Sequence, residues 1–333
     1  MKKHFSFFLF FIQIIAFAQL NPNLNKYYNL VNIAEINITN NKIYEAYSNY
    51  KMAFKIRETP FEIDQYNFAV CCAILNKKHK SFKHIKFLIE YGYPADSLIN
   101  NKELKYLKKQ KWQNKINEIS IKYNIQLKNK LDSLLNQDQK FRIKDKHKYK
   151  DIIFKIDSTN AITLINKKDF FCCFSETKIG VDLTPIRIIV MHNFQNLTFG
   201  KDLNSLYDLL NSCVYSGEID VRKAAYYLQG YNVENYGSSF RGISRYGYLY
   251  TEDGITKKSE LSKPGIPNFQ ITNEININRM KIGLCPIEDY IKKIKFNYFN
   301  KSFRLINSAD ISNIYFADEE NYEKALEKLI FLD

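Results

Sequence analysis

Asn40-Asn41-Lys42-Ile43-Tyr44-Glu45-Ala46-Tyr47-Ser48-Asn49-Tyr50-Lys51-Met52-Ala53-Phe54 is the stretch whose reading decides the fold class. The Asn40-Asn41 pair reads as a turn. After it, Tyr44, Ala46, Tyr50, Ala53 and Phe54 make an apolar stripe at helical spacing. Small side chains at Ala46 and Ala53, on either side of Tyr50, let a second helix approach closely. That second helix is supplied just upstream, where Leu30, Ile33 and Ala34 fall on one face. The stretch is therefore the second arm of a helical hairpin, and Pro60 follows shortly after its end.

The unit recurs. Tyr66 to Ala73 reads as another first helix, Phe82, Ile85, Leu88 and Ile89 as its partner, and Gly92 with Pro94 as the stop. Leu98 to Ile116 follows, with Leu104, Leu107 and Trp112 placed to cover the open end of the last pair. The spacing around Ala46, Tyr50, Ala53 and Pro60 resembles the second helix of a tetratricopeptide repeat. Residues 25–124 are thereby expected to form two degenerate repeats with an end cap, and such units must stack to bury their faces. A plain helical bundle is the alternative. Either version binds or braces and carries no chemistry of its own.

Beyond position 125 the helices carry polar residues on apolar faces. Leu127, Leu131, Leu134, Leu135 and Phe141 form a buried stripe on which Asp138 also falls, with Arg142 one turn later. A carboxylate and a guanidinium turned toward a core are costly unless paired or used. Asp157 and Ser158 precede an apolar segment from Thr159 to Asn166, which makes Asp157 an N-cap and leaves Asn160 unexplained. Thr184-Pro185 signals a helix start. The β-branched run Ile186–Val190 fits a helix or a strand, and His192 beside Asn193 ends it as the candidate general base. Leu203 to Val214 is amphipathic and closes at Gly217, and another helix begins at Asp220. A Gly- and aromatic-rich stretch from Tyr236 to Tyr250 suggests loop and strand, with Asp253-Gly254 as a hairpin turn. Arg279, Gly283, Leu284 and Pro286 then lead into a helix through Tyr290.

Asp138-Gln139 with Arg142, Asp157 with Asn160 and Leu164, His192, Tyr236-Gly237, and Arg279 with Gly283-Leu284, Pro286 and Tyr290 together resemble an uncharacterised family of exported bacterial domains, domain of unknown function 6624. The resemblance spans residues 127–292. Members often carry an Asp-Arg pair before the Tyr-Gly motif and Thr-Gln after it, where this chain has Gln229-Gly230 and Ser238-Ser239. The resemblance implies a fold and a polar cluster, and no reaction.

The chain opens with Met1-Lys2-Lys3, an apolar run from Phe5 to Phe17 and a small-x-small site at Ala16-Phe17-Ala18 before Gln19. This is the layout of a secretory signal peptide cleaved between Ala18 and Gln19. The expected product is exported, periplasmic or extracellular, and not an evident lipoprotein, with no transmembrane span once the leader is removed. Over 333 residues, 45% are hydrophobic and 15% aromatic, enough for packed cores. The net charge of +14 comes from lysines scattered along the chain with little arginine, so specific nucleic-acid binding is not expected. Weak attraction to anionic envelope surfaces is. The six cysteines are expected to be buried hydrophobes, with a Cys213–Cys285 bridge as the alternative. His79 and His84 flank a basic stretch read as solvated.

The expected architecture is mainly α. A signal peptide (1–18) precedes a tetratricopeptide-like helical hairpin array (19–125). A mostly helical α+β domain with a small β-hairpin follows (126–300), then a C-terminal strand and helix extension (301–333). No Walker loop, dinucleotide fingerprint, His-Glu-x-x-His or Gly-x-Ser-x-Gly occurs, and no cofactor or metal is implied. The first functional reading is a non-enzymatic exported binding or scaffold protein that holds a protein partner through its helical array. The alternative is a hydrolase in which His192 is the base, Asp138 or Asp157 orients it, and Arg142 or Arg279 binds an anionic group. Asn160 and Tyr236 complete that binding set. A third reading is a toxin or immunity component. The enzyme reading requires Asp138, Arg142, His192 and Arg279 to converge.

Overall fold

The computed structural model describes residues 20–142, 148–166, 174–195, 201–228, 244–251, 254–267, 273–306, 314–316 and 329–331. The proposed leader with its Ala18–Gln19 junction, Tyr236, the Cys172-Cys173 pair and most of the C-terminal extension lie outside them. The chain is mainly helical. Four helices open it: α1 (Pro22–Thr39), α2 (Ile43–Ile56), α3 (Glu62–Ile74) and α4 (Lys78–Glu90). α1 packs on α2, α2 on α3 and α3 on α4. Asn41 makes the first turn with φ of 58°, left-handed backbone that Asn tolerates better than most residues. Ala46, Tyr50 and Ala53 are fully buried, and the Tyr50 ring meets Phe68 of α3 edge-on at 6.1 Å. Small residues flanking one large ring thus bring two helices together, as the sequence pattern requires.

A short α5 (Ala95–Ile99), a 3-10 turn (Lys102–Lys108) and α6 (Gln110–Asn117) close this part. Leu98, Leu104, Leu107 and Trp112 are buried there, and Trp112 packs against Phe82 of α4 at 4.8 Å. His84 departs from the solvated reading. Its ring stands edge-on to Phe68 at 4.7 Å and its Nδ1 is hydrogen-bonded to Gln65. Burial, with Lys83 and Lys80 adding to it, holds its pKa down at about 3, so it is a neutral packing residue.

The second part begins with α7 (Ile125–Arg142) and α8 (Lys150–Asn166). A four-residue turn of helix, α9 (Glu176–Ile179), leads to α10 (Thr184–Gln195), α11 (Lys201–Tyr215) and α12 (Val221–Leu228). The β-branched run Ile186–Val190 is thus helical, with Ile186, Ile189 and Val190 all buried. Strands β1 (Ser244–Thr251) and β2 (Gly254–Pro267) pair antiparallel, and Thr251 sits opposite Gly254. After α13 (Asn273–Lys281) and α14 (Ile287–Phe299), β3 (Ile314–Phe316) and β4 (Leu329–Phe331) join the sheet in the order β3-β1-β2-β4. No described helix is long and apolar enough to cross a membrane. Cys213 and Cys285 are free thiols, so the alternative of a bridge between them falls.

One apolar core runs through both parts, from Leu20 and Tyr28 of the first through Leu131, Ile186 and Leu210 to Leu305. Buried ion pairs cross the same junction. Arg222 of α12 donates to both carboxylate oxygens of Asp64 on α3 at 2.8 Å, to Glu35 on α1 at 3.0 Å and to Asp220 at 2.7 Å. Lys293 of α14 reaches the other oxygen of Glu35 at 2.5 Å. Residues 302–306 lie along α3 through side-chain amides. Asn67 donates to the Arg304 carbonyl at 2.7 Å and accepts from its N–H at 2.8 Å.

Candidate functional site

Three helices, α7, α8 and α10, pack on one another and bring the polar residues of the second part together. On α7, Leu127, Leu131, Leu134 and Asp138 are the buried positions, a spacing of three and four that carries the carboxylate into the interface with the leucines. On α8, the buried stripe is Ile153, Asp157, Asn160, Ala161 and Leu164. The helix starts at Lys150, so Asp157 lies two turns inside it and is not an N-cap. The Asp157-Ser158 pair before the apolar segment from Thr159 looks like a helix start, but Ile153 and Ile156 already belong to the same helix. The Asp157 carboxylate instead faces Arg142.

Asp138 is the hub. Its carboxylate is fully buried and accepts from Gln139 at 2.6 Å and from the Arg142 Nε at 3.4 Å. His192 Nδ1 lies 3.0 and 2.9 Å from its two oxygens. The Arg142 Nη2 donates to Asp157, which is also fully buried. Asn160 donates to the Leu134 carbonyl at 3.4 Å, one turn before Asp138, and so braces the backbone that holds it. His192 keeps 21% of its side chain exposed. Since a carboxylate can only accept, Nδ1 carries the hydrogen, and Nε2 is the nitrogen with a free lone pair in the neutral ring. Among the described residues nothing bonds Nε2.

Burial raises both carboxyls, and their neighbours then push them apart. For Asp138, burial is outweighed by the hydrogen bond and charge of His192 and by Arg142, so it stays below the usual carboxylate range. For Asp157, Arg142 offsets burial only in part and the nearby Asp138 charge adds to it, so its pKa is raised. Two carboxyls sharing one guanidinium with opposite shifts is a pattern found where acid and base roles are divided.

Asp138, Asp157 and His192 also each place one ligand atom within 4.8 Å of the others. Two carboxylates and an imidazole suit a divalent cation. Arg142 already supplies positive charge to both carboxylates, so an added ion would have to displace it.

Of the residues singled out in the sequence, Asp138, Arg142, Asp157, Asn160 and His192 come together. Arg279 does not join them. It is 1% exposed, donates from Nε to the Cys285 carbonyl at 2.7 Å and lies over the Tyr290 ring at 5.3 Å. It lines a separate small cavity with Glu35, Arg222 and Lys293. Two features went unread in the sequence. Asn193, 1% exposed, donates to the Ile189 carbonyl while its Oδ1 has no donor among the described residues. The Arg222 cluster also went unread, although Asp64, a charge inside the buried run of α3, marks it. No family model, no curated protein and no solved structure matches the chain.

Proposed function

We propose that the α7–α8–α10 cluster is a general acid–base centre of hydrolase type in an exported protein whose first part is a tetratricopeptide-like brace. The observation that carries this reading is the His192–Asp138 pair, with Nδ1 fixed on a buried carboxylate and Nε2 unbonded among the described residues. A carboxylate behind an imidazole holds the tautomer and orientation and stabilises the imidazolium formed when Nε2 takes a proton. Here the proton comes from a water whose oxygen attacks the substrate's electrophilic centre; the bond to the leaving group then breaks, and the imidazolium returns the proton to the departing atom. Asp157, with its raised pKa, is the nearby group suited to hold a proton, and Arg142 keeps the two carboxyls charge-balanced.

The test is a panel of chromogenic esters, phosphodiesters and glycosides incubated with the purified chain. Turnover should fall by about 10³–10⁴-fold in D138N and to background in H192A. A signal indifferent to both substitutions would sink the reading.

A second reading, an exported binding or scaffold protein, is favoured by one specific observation. Arg142 is spent on two carboxylates, and Arg279 lies elsewhere, so the anion-binding half of the enzyme reading lacks a cation. In that case the cluster is an ion-paired knot holding three helices, and the helical array carries the function by holding a protein partner. H192A would then leave every measurable property but local stability unchanged.

A further inference from the structure

We propose that the face formed by α4 and α6 docks the protein on an anionic lipid surface. Lys77, Lys78, Lys80, Lys83, Lys111 and Lys115 lie on these two neighbouring helices or at their ends, all but the half-buried Lys80 exposed. Glu90 is taken by Lys86 and Lys122, and Glu103 by Lys102; Glu118, three residues after Lys115, is the nearest carboxylate in sequence and forms no ion pair among the described residues. None of the six has an ion-pair partner among the described residues. Four of them stand over aromatic rings. Lys80 donates to the Tyr47 hydroxyl at 2.8 Å, and its ammonium lies 4.8 Å from that ring and 5.4 Å from Phe68. Lys77 stands 5.4 Å over Tyr47. On the other flank Lys115 stands 5.2 Å over Trp112 and 5.9 Å over Phe82, with Lys111 at 5.5 Å from Trp112. Since Phe82 and Trp112 touch, the two lysine groups bracket one helix and form one patch.

The chemistry of the patch selects its partner. Its rings act as seats for ammonium groups, and Trp112 is buried at 2%, so it offers no open platform for a base or a sugar. No arginine occurs between Arg57 and Arg142, so planar bidentate recognition of a particular phosphate or carboxylate is missing. Two apolar residues near them are exposed: Tyr44 at 64%, its ring 6.4 Å from that of Tyr47, and Ile74 at 40%, three residues before Lys77. Tyrosine with lysine at a polar–apolar boundary is the combination suited to the headgroup layer of a bilayer. Clustered lysines near an anionic leaflet attract it through a field that decays within a Debye length.

The experiment is co-sedimentation of the full chain with vesicles of phosphatidylcholine alone and of phosphatidylcholine mixed with phosphatidylglycerol. Binding is expected only to the anionic vesicles and should vanish at about 1 M salt, where screening falls to about 3 Å. K77E/K111E/K115E should lower partitioning by on the order of a hundredfold. K26E/K150E/K155E changes net charge equally at exposed lysines away from the patch and should retain most of the binding. Equal losses in both triple variants would reduce the effect to net charge and overturn the proposal. Tighter capture of poly-glutamate than of anionic vesicles would overturn it in favour of an acidic polypeptide partner.

Discussion

Arg142 holds two buried carboxylates apart, and the rest of the cluster depends on it. Removing one partner of a buried pair leaves uncompensated charge, typically at about 3–5 kcal/mol. Arg142→Ala should lose stability on that scale in chemical denaturation. Its loss also empties the space between Asp138, Asp157 and His192, whose ligand atoms already lie within 4.8 Å of one another. The variant should therefore become a divalent-cation site. Zinc is expected to raise the melting temperature of R142A and to leave the parent chain unmoved. Equal stabilisation of both would show that the guanidinium does not exclude the ion. At this scale the sequence was informative wherever a charge sat on a clear apolar stripe, as Asp138 does among the leucines of α7. It misled at Asp157, because an Asp-Ser pair resembles a cap even two turns inside α8, where Ile153 already lies on the buried stripe. It misplaced Arg279, expected beside His192, because its partner is a backbone carbonyl that no side-chain pattern encodes.

The start of α8 apart, helix ends followed approximately from periodicity and punctuation, and the turns that stop the helices are where backbone conformation is most constrained. Gly283, between α13 and α14, has φ of +85°, and a Cβ there would stand 2.7 Å from the Tyr28 ring and 2.8 Å from Leu20. Those two neighbours belong to the first part of the chain, so the turn is also a contact across the molecule. Gly283→Ala combines left-handed strain with a clash, and a loss of about 2–3 kcal/mol is expected from denaturant midpoints. A loss below about 0.5 kcal/mol would mean that α1 moves freely away from the turn. Trp112 plays the complementary role at the end of the helical array, where it fills the space between Phe82 and Tyr106. Trp112→Ala should cost about 3–5 kcal/mol by opening that end. The Ile186–Val190 run shows where element reading stops. A short β-branched stretch is equally good as strand or helix, and the contacts of α10 with α7 and α8 decide it.

On the scale of the whole molecule, the junction between the two parts is an apolar core threaded by buried ions, and this was the least legible feature. Each of Glu35, Asp64, Asp220, Arg222 and Lys293 looks like an ordinary helical surface charge until residues more than a hundred positions apart are brought together. Three carboxylates there share two cations, which leaves an excess negative charge in a dry place. Burial, with Asp220 and Glu35 adding to it against Arg222, pushes Asp64 up to about 6 from its ordinary 3.8. A carboxyl raised in the folded state binds its proton more tightly there than in the unfolded chain. Its contribution to stability is therefore complete below about pH 4 and is lost as pH rises through about 6. The shift corresponds to about 3 kcal/mol. Other groups run the opposite way. Glu62 and Asp138 are held below their usual range despite burial, by Arg304 and Lys223 in one case and by His192 and Arg142 in the other. The informative quantity is consequently the difference between the parent chain and Asp64→Asn, which keeps the side chain's shape and removes its titration. Followed by urea unfolding, that difference should move against the parent by about 3 kcal/mol between about pH 4 and 7, with half the change near pH 5 and most of it complete by about pH 6. A difference independent of pH would mean that Asp64 is ionised throughout and that Arg222 and Lys293 suffice for all three carboxylates.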